Sequence, residues 1–261
     1  MVKKCVFCGN NSDTNKLTKE HVLPKWLKKI IHQEKWHWYI SSYGMDAPKQ
    51  RFVNGQTIFD STISAVCEQC NNGWMSSKLE EPVSKLLPEL INGNEISLNK
   101  AQKYLISLWA VKTAFIRVLL DGENVLPESY YRDVSELKIP YGINVILCSK
   151  VLGSSEVKNR ALRAKDNFGG HIFIFGMEIG SLLLIVSSFS TLASAGERNQ
   201  EIFKEKLPAT NETIHPSSDS TSFFPLPYET DLAIDEIINP AAEYLFPSFL
   251  DNKVTMKHMQ K

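Results

Sequence analysis

Apolar positions along the chain change their spacing more than once, and the changes mark the elements. After Pro24, the residues Val22, Leu23, Trp26, Leu27, Ile30 and Ile31 recur at helical spacing with Lys25, Lys28 and Lys29 facing away. Proline is compatible with a first helical turn, so a helix over about 23–33 is expected. "KWHWYI" reads as extended. In "QRFVNGQTIF", Asn54-Gly55 supplies two positive-φ turn positions between β-prone arms, a hairpin signal. "STISAV" reads as a strand running into Cys67. Met75, Leu79, Val83, Leu86, Leu87 and Leu90 then trace a helical face, restarted or kinked at Pro82, with Ser77-x-x-Glu80 as a possible capping box.

From about residue 95 the pattern strengthens. Residues 98–120 form the clearest helix, with Leu98, Ala101, Leu105, Leu108, Trp109, Phe115 and Leu119 on a broad apolar face, ended by Asp121-Gly122. "YGINVILCS", "GHIFIFGM" and "SLLLIVSSF" read as buried strands, the last two a hairpin across "GMEIG". "HPSSDSTSFFPLPYE" reads as loop, followed by short helices near 231–238 and 240–246. The expected class is α+β: an N-terminal unit, residues 1–94, and a mixed α+β domain, residues 95–261.

Composition adds bounds. The 261 residues, 43% hydrophobic and 22% charged, suit a globular chain with a real core. "MVKKCVFCGN" carries no apolar leader, and Lys112 and Arg117 interrupt "YLISLWAVKTAFIRVLL", the longest apolar stretch. A cytoplasmic protein without a membrane span is expected. Net charge is zero, which disfavours wholesale polyanion binding. Residues 1–35 nevertheless hold eight lysines against three acids, so one end is basic enough for phosphate contacts or is simply a solvated helix face.

The cysteines carry more information. Cys5-Val-Phe-Cys8 and Cys67-Glu-Gln-Cys70 are two CxxC pairs. Each places two thiolates on one tight turn, half of a tetrahedral zinc shell, and together they close it. Gly9 suits the turn after the first pair. An intracellular chain favours metal over disulfides, and a structural zinc on Cys5, Cys8, Cys67 and Cys70 is expected. Cys148, in an apolar strand, reads as a buried small side chain. Trp26, Trp36 and Trp38 suggest base stacking but read better as core. His32, His37, His171, His215 and His258 have no marking spacing.

"CVFCG", "EHVLP" and "CEQCNNGW" together resemble the HNH endonucleases, a zinc-knuckle subgroup of the ββα-metal nucleases, over residues 5–81. The resemblance implies a module of two strands and a helix around one divalent ion. It makes His21 the general base, Glu20 a carboxylate ligand of the catalytic ion, and Asn71 a second ligand from the start of the helix. It implies Mg2+ or Mn2+ as catalytic ion beside structural Zn2+, DNA as substrate with RNA as the alternative, and a partner protein or oligomer of the kind found in restriction or phage-defence systems. The chemistry is consistent: phosphodiester hydrolysis needs an activated water and a hard cation with open positions, and histidine is the natural base near neutral pH. The sequence departs from the family twice. The middle asparagine is replaced by Ser61 or Thr62, and Met75 stands where metal-rich members carry a third histidine, which favours an oxygen site of magnesium type. The competing expectation is a zinc-stapled nucleic-acid-binding module with a vestigial site.

Overall fold

The computed structural model describes residues 3–44, 49–122, 124–150, 157–165, 169–190, 193–207, 211–217, 219–226, 232–241 and 243–245. It is α+β, with helices and several sheets. The strands are β1 (Leu17–His21), β2 (Trp36–Tyr43), β3 (Lys49–Asn54), β4 (Thr62–Cys67), β5 (Ile96–Leu98), β6 (Ile143–Ser149), β7 (Val157–Lys165), β8 (His171–Ile179), β9 (Leu182–Ser190), β10 (Glu212–His215) and β11 (Ser222–Phe224). The helices are α1 (Glu68–Cys70), continued through Asn71–Glu80 into α2 (Glu81–Val83), then α3 (Leu87–Ile91), α4 (Lys100–Leu120), α5 (Glu128–Ser135) and α6 (Ala193–Lys206).

A seven-stranded sheet in the order β10-β6-β9-β8-β7-β2-β3 forms the centre, antiparallel except where β2 runs parallel to β7. Its strands are apolar on both faces because both are covered. On one face Val145, Leu147, Phe173, Phe175 and Val186 pack against α4 in the larger core. On the other, Ile146, Ile172, Ile174 and Ile185 pack against Phe203 of α6 and against Ile234 and Ile238, within helical residues 234–241. No helix of the described residues is long and apolar enough to cross a membrane.

Helix α4 is the middle of the molecule. Every residue from Ile106 to Val118 is buried, as expected for a helix apolar around most of its circumference. Asn99 caps it: its side chain accepts from Gln102 N at 3.0 Å, and Gln102 returns a bond to Asn99 N at 2.9 Å. The cations that interrupt its apolar run are matched inside. Arg117 donates to Asp121, to Asn159 at 2.7 Å and to the Ile40 carbonyl at 2.7 Å, while Arg163 of β7 reaches Asp121 at 2.7 Å. A buried cation of this kind is tolerable only with such partners.

The N-terminal residues are not a separate body. The expected boundary at 94/95 is crossed by one hydrophobic core running from Cys5 and Phe7 through α4 to Phe224. The β2–β3 hairpin, within residues 1–94, extends the large sheet through Ser41↔Ala161 and Tyr43↔Arg163.

Three local expectations change. The helix over 23–33 is a short 3-10 turn, Lys25–Lys29, with neither a side-chain cap nor an acid in its first turn to extend it. Asn54-Gly55 does not turn a hairpin. The arms are β2 and β3, and Gly55, at φ +80°, ends β3 before the short turn Ile58–Asp60. Ser77 does not cap, because its hydroxyl donates back to Gly73 O at 2.7 Å. Strand β7 escapes the pattern because "VKNRALRAK" carries four cations, of which Arg160 is matched by Asp235 and Arg163 by Asp121. His258 lies outside the described residues.

Candidate metal centre and the His21 strand

The chain brings Cys5, Cys8, Cys67 and Cys70 together, with all four Sγ atoms within 4.8 Å of one another. Cys8 Sγ and Cys67 Sγ lie 3.7 Å apart. A tetrahedron with Zn–S bonds of about 2.3 Å has edges of ~3.8 Å, so the spacing fits a four-thiolate shell. The first pair sits on a turn closed by Gly9 N to Cys5 O at 2.9 Å, with Gly9 at φ +73°. The second straddles the junction of β4 and α1, and Cys67 N donates to Cys5 Sγ at 3.3 Å. Phe7, between the first two cysteines, packs edge-on against Trp74 and Tyr131 at 5.5 Å each, fixing the turn to the core.

The charge state of this cluster points the same way. Hydrogen bonding from Cys70, then from backbone N–H groups, draws the Cys5 thiol down to about 4. Cys70 is pushed up by its bond to Cys5, and Cys67 is pushed up by burial. Without a cation, the four sulfurs therefore settle on few negative charges. A dication would stabilise the remaining thiolates. The residues present can coordinate a structural metal such as zinc. Among the described residues, no other trio of His, Cys, Asp and Glu is gathered closely enough to hold an ion.

Strand β1 runs away from this cluster, paired antiparallel with β4: Leu17↔Cys67, Glu20↔Ile63 and His21↔Thr62, with a bulge between Thr18 and Glu20. "TKEH" is thus strand, where a turn before a helix was the plainer reading. Glu20 and His21 differ in burial, as neighbouring strand positions should. Glu20 is buried and His21 is partly open. Asn71, at the start of the helix after Cys70, donates from Nδ2 to Thr18 Oγ1 at 3.0 Å, tying helix to strand.

Glu20 has a partner that the motif did not foretell. Its carboxylate accepts from Lys112 Nζ of α4 at 3.2 Å, and Lys112 also donates to Glu80 at 2.7 Å. The lysine side chain is 0% exposed. Burial raises the Glu20 pKa, partly offset by Lys112. Burial alone would lower that of Lys112, but the two carboxylates outweigh it and hold the ammonium charged. Sequence reasoning passed over Lys112 because it weighed the residue only against a membrane span. A single cation inside a buried helix is the signal that would have sent the search for an acidic partner.

His21 lies among charged groups. Its pKa is lowered, first by burial and then by Lys25, so the ring is neutral at neutral pH. Asp60 is fastened by Lys28 at 2.5 Å and by Thr57 N and Oγ1 at 2.9 and 2.8 Å, which hold its carboxyl down at about 2. The loop after His21 is held by its backbone, Val22 N donating to Ser61 O at 3.0 Å. That bond, formed at the position where Ser61 and Thr62 replace an asparagine, can fix the histidine without an amide side chain. No protein family, curated protein or solved structure matches this chain.

Proposed function

We propose that the chain is an HNH-type endonuclease that hydrolyses phosphodiester bonds in DNA, with RNA as the alternative substrate. In this reading zinc fills the four-cysteine cluster, and Mg2+ or Mn2+ is held by Glu20 and Asn71. The observation that carries the reading is the strand–strand–helix unit. One β1–β4 pair leads directly to His21 at one end and to the cysteines and Asn71 at the other. His21 takes a proton from water through a neutral ring nitrogen, and the water oxygen attacks phosphorus as the leaving oxygen departs. The divalent ion, when bound, supplies charge stabilisation at the phosphate. Lys25 and Lys28, whose charges are felt at His21, add positive field for a polyanion.

A second reading has its own observation. Lys112 occupies the Glu20 carboxylate, so a cation is already built into this position. A zinc-stapled nucleic-acid-binding module with a vestigial site would keep that arrangement without cleaving.

Plasmid nicking with Mg2+ or Mn2+ separates the two. In the nuclease reading, His21→Ala lowers turnover by about 10²–10⁴-fold while zinc content and thermal unfolding stay as in the parent. Because the histidine pKa lies below its ordinary value, the parent rate is level at neutral pH. It falls only when acidification passes that lowered pKa. Parent-like nicking by His21→Ala would assign the base elsewhere. DNA binding without nicking under any divalent ion would favour the vestigial module.

The two metal sites should also part company under chelation. A hard cation with few protein ligands keeps most of its waters and is bound modestly, whereas four thiolates hold zinc tightly. Mild EDTA and dialysis should abolish cleavage with zinc still bound, and added Mg2+ should restore it. Asn71→Ala should raise the Mg2+ concentration that gives half the maximal rate. Activity that tracks zinc alone would remove Glu20 and Asn71 from the proposed ion site.

A further inference from the structure

Trp36 and Trp38, expected in the core, are not there. They are 50% and 55% exposed, and Phe52 opposite them is 51% exposed. The pairing Trp38↔Phe52 and Trp36↔Asn54 places all three rings on one face of the β2–β3 hairpin, with centroids 5.2 Å (Trp38–Phe52) and 6.0 Å (Trp36–Phe52) apart. The helical cover on this side of the sheet reaches β8 and β7. A Cβ at Gly176 would meet Ile234 and Ile238, and Arg160 of β7 pairs with Asp235. Strands β2 and β3 lie beyond that cover at the sheet edge.

Cross-strand aromatic pairs stabilise a hairpin, but one pair would serve. Three large half-exposed rings in contact form a surface patch of the sort that marks a binding site. Its charge selects the occupant. Lys35, Lys49 and Arg51 are exposed on the same hairpin, and Lys49 and Arg51 alternate with the Phe52 face along the edge strand. The described hairpin residues include no acid; Asp46, in the turn, lies outside them. Flat rings bordered by cations suit bases bordered by phosphates. In a duplex each base face is already stacked on its neighbour, so the rings favour unpaired bases.

We infer that the Trp36–Trp38–Phe52 face is a stacking platform for single-stranded nucleic acid. The inference rests on the nucleic-acid reading above and narrows its substrate to strands with unpaired bases. The edge strand carries the backbone past Lys49 and Arg51 while successive bases lie on the rings.

Binding can be read without cleavage, on His21→Ala protein at fixed salt, with short oligothymidine and its duplex with oligoadenine as probes. Single strands should bind more tightly than duplex and quench tryptophan fluorescence, because Trp109 is buried and Trp26 and Trp74 are partly buried. Trp36→Ala, Trp38→Ala and Phe52→Ala should each weaken single-strand binding roughly tenfold or more. Trp38→Phe, which keeps a flat ring, should retain most of it, and Trp38→Leu, apolar but not flat, should not. That contrast holds even if a multiple variant folds poorly.

Equal affinity for duplex, or ring variants that bind as the parent does, would overturn the inference. So would a parent that self-associates through this face, monomeric only when the rings are removed, and binds no oligonucleotide. The two proposals fail separately. Loss of single-strand binding in the ring variants with no nicking in any protein leaves the platform and removes the nuclease. His21-dependent nicking with unchanged binding by ring variants does the reverse.

Discussion

Cys70→Ser should lose the metal and release the N-terminal strands while the seven-stranded sheet stays folded. Freshly purified parent protein should carry about one zinc per chain, and the variant far less. Metal binding in such modules is folding free energy, with apparent values of about 10–16 kcal/mol for zinc-finger peptides. A fraction of that exceeds what the local contacts here can replace. Leu17↔Cys67 and Thr18↔Val66 are the first pairs of β1–β4, and the cluster joins the residue 5–8 turn to the end of β4. Without the metal, the β1–β4 pair and the Asn71–Thr18 bond lose their anchor. The large core around α4 does not depend on the cysteines and should hold. Hydrogen exchange should therefore quicken in residues 5–23 and 61–71 and change little in β8 and β9. A parent without zinc, or a serine variant with parent-like exchange in those segments, would refute the metal assignment.

What the sequence makes legible follows from where each signal is written. The two CxxC pairs are legible because coordination needs fixed local spacing, and four sulfurs duly meet. Strands β6, β8 and β9 and helix α4 are legible because burial on all sides writes long apolar runs. Strand β7 is not, since its arginines are matched by Asp121 and Asp235, partners far along the chain. The Trp36 and Trp38 rings are misread for the opposite reason. Apolar character implies core only where a covering element exists, and none of the described helices reaches the sheet edge. The strand nature of "TKEH" depends on β4, four dozen residues later, so no local pattern reveals it. Glu20 and His21 were found by their motif, yet the lysine that meets Glu20 comes from α4, outside the motif.

That lysine gives the second large effect. Lys112→Met should destabilise the protein at neutral pH by about 3–5 kcal/mol, the cost of breaking a buried ion pair from one side. Methionine fills much of the same volume, so the loss is electrostatic. Glu80 retains a path to water, with its side chain 22% exposed, but the Glu20 side chain is 7% exposed and would be left as a buried, unpaired carboxylate. The sign of the pH dependence follows. Burial already raises the Glu20 pKa, and removing Lys112 removes the cation that lowers it. A carboxyl whose folded pKa lies above its unfolded value binds its proton more tightly when folded, so stability falls as pH rises through that window. The gap between variant and parent should thus narrow on acidification toward the ordinary carboxylate range. Adding Glu20→Gln should recover part of the loss at neutral pH, because an amide needs no counter-charge. Chemical denaturation across pH checks each step. A pH-independent gap, or a double variant no more stable than Lys112→Met, would show that the lysine acts through packing instead. The same variant bears on function, since it frees the carboxylate proposed to hold the catalytic ion. Under the nuclease reading Lys112→Met should lower the Mg2+ concentration needed for half-maximal nicking, and under the vestigial reading it should leave a folded protein that still does not cleave.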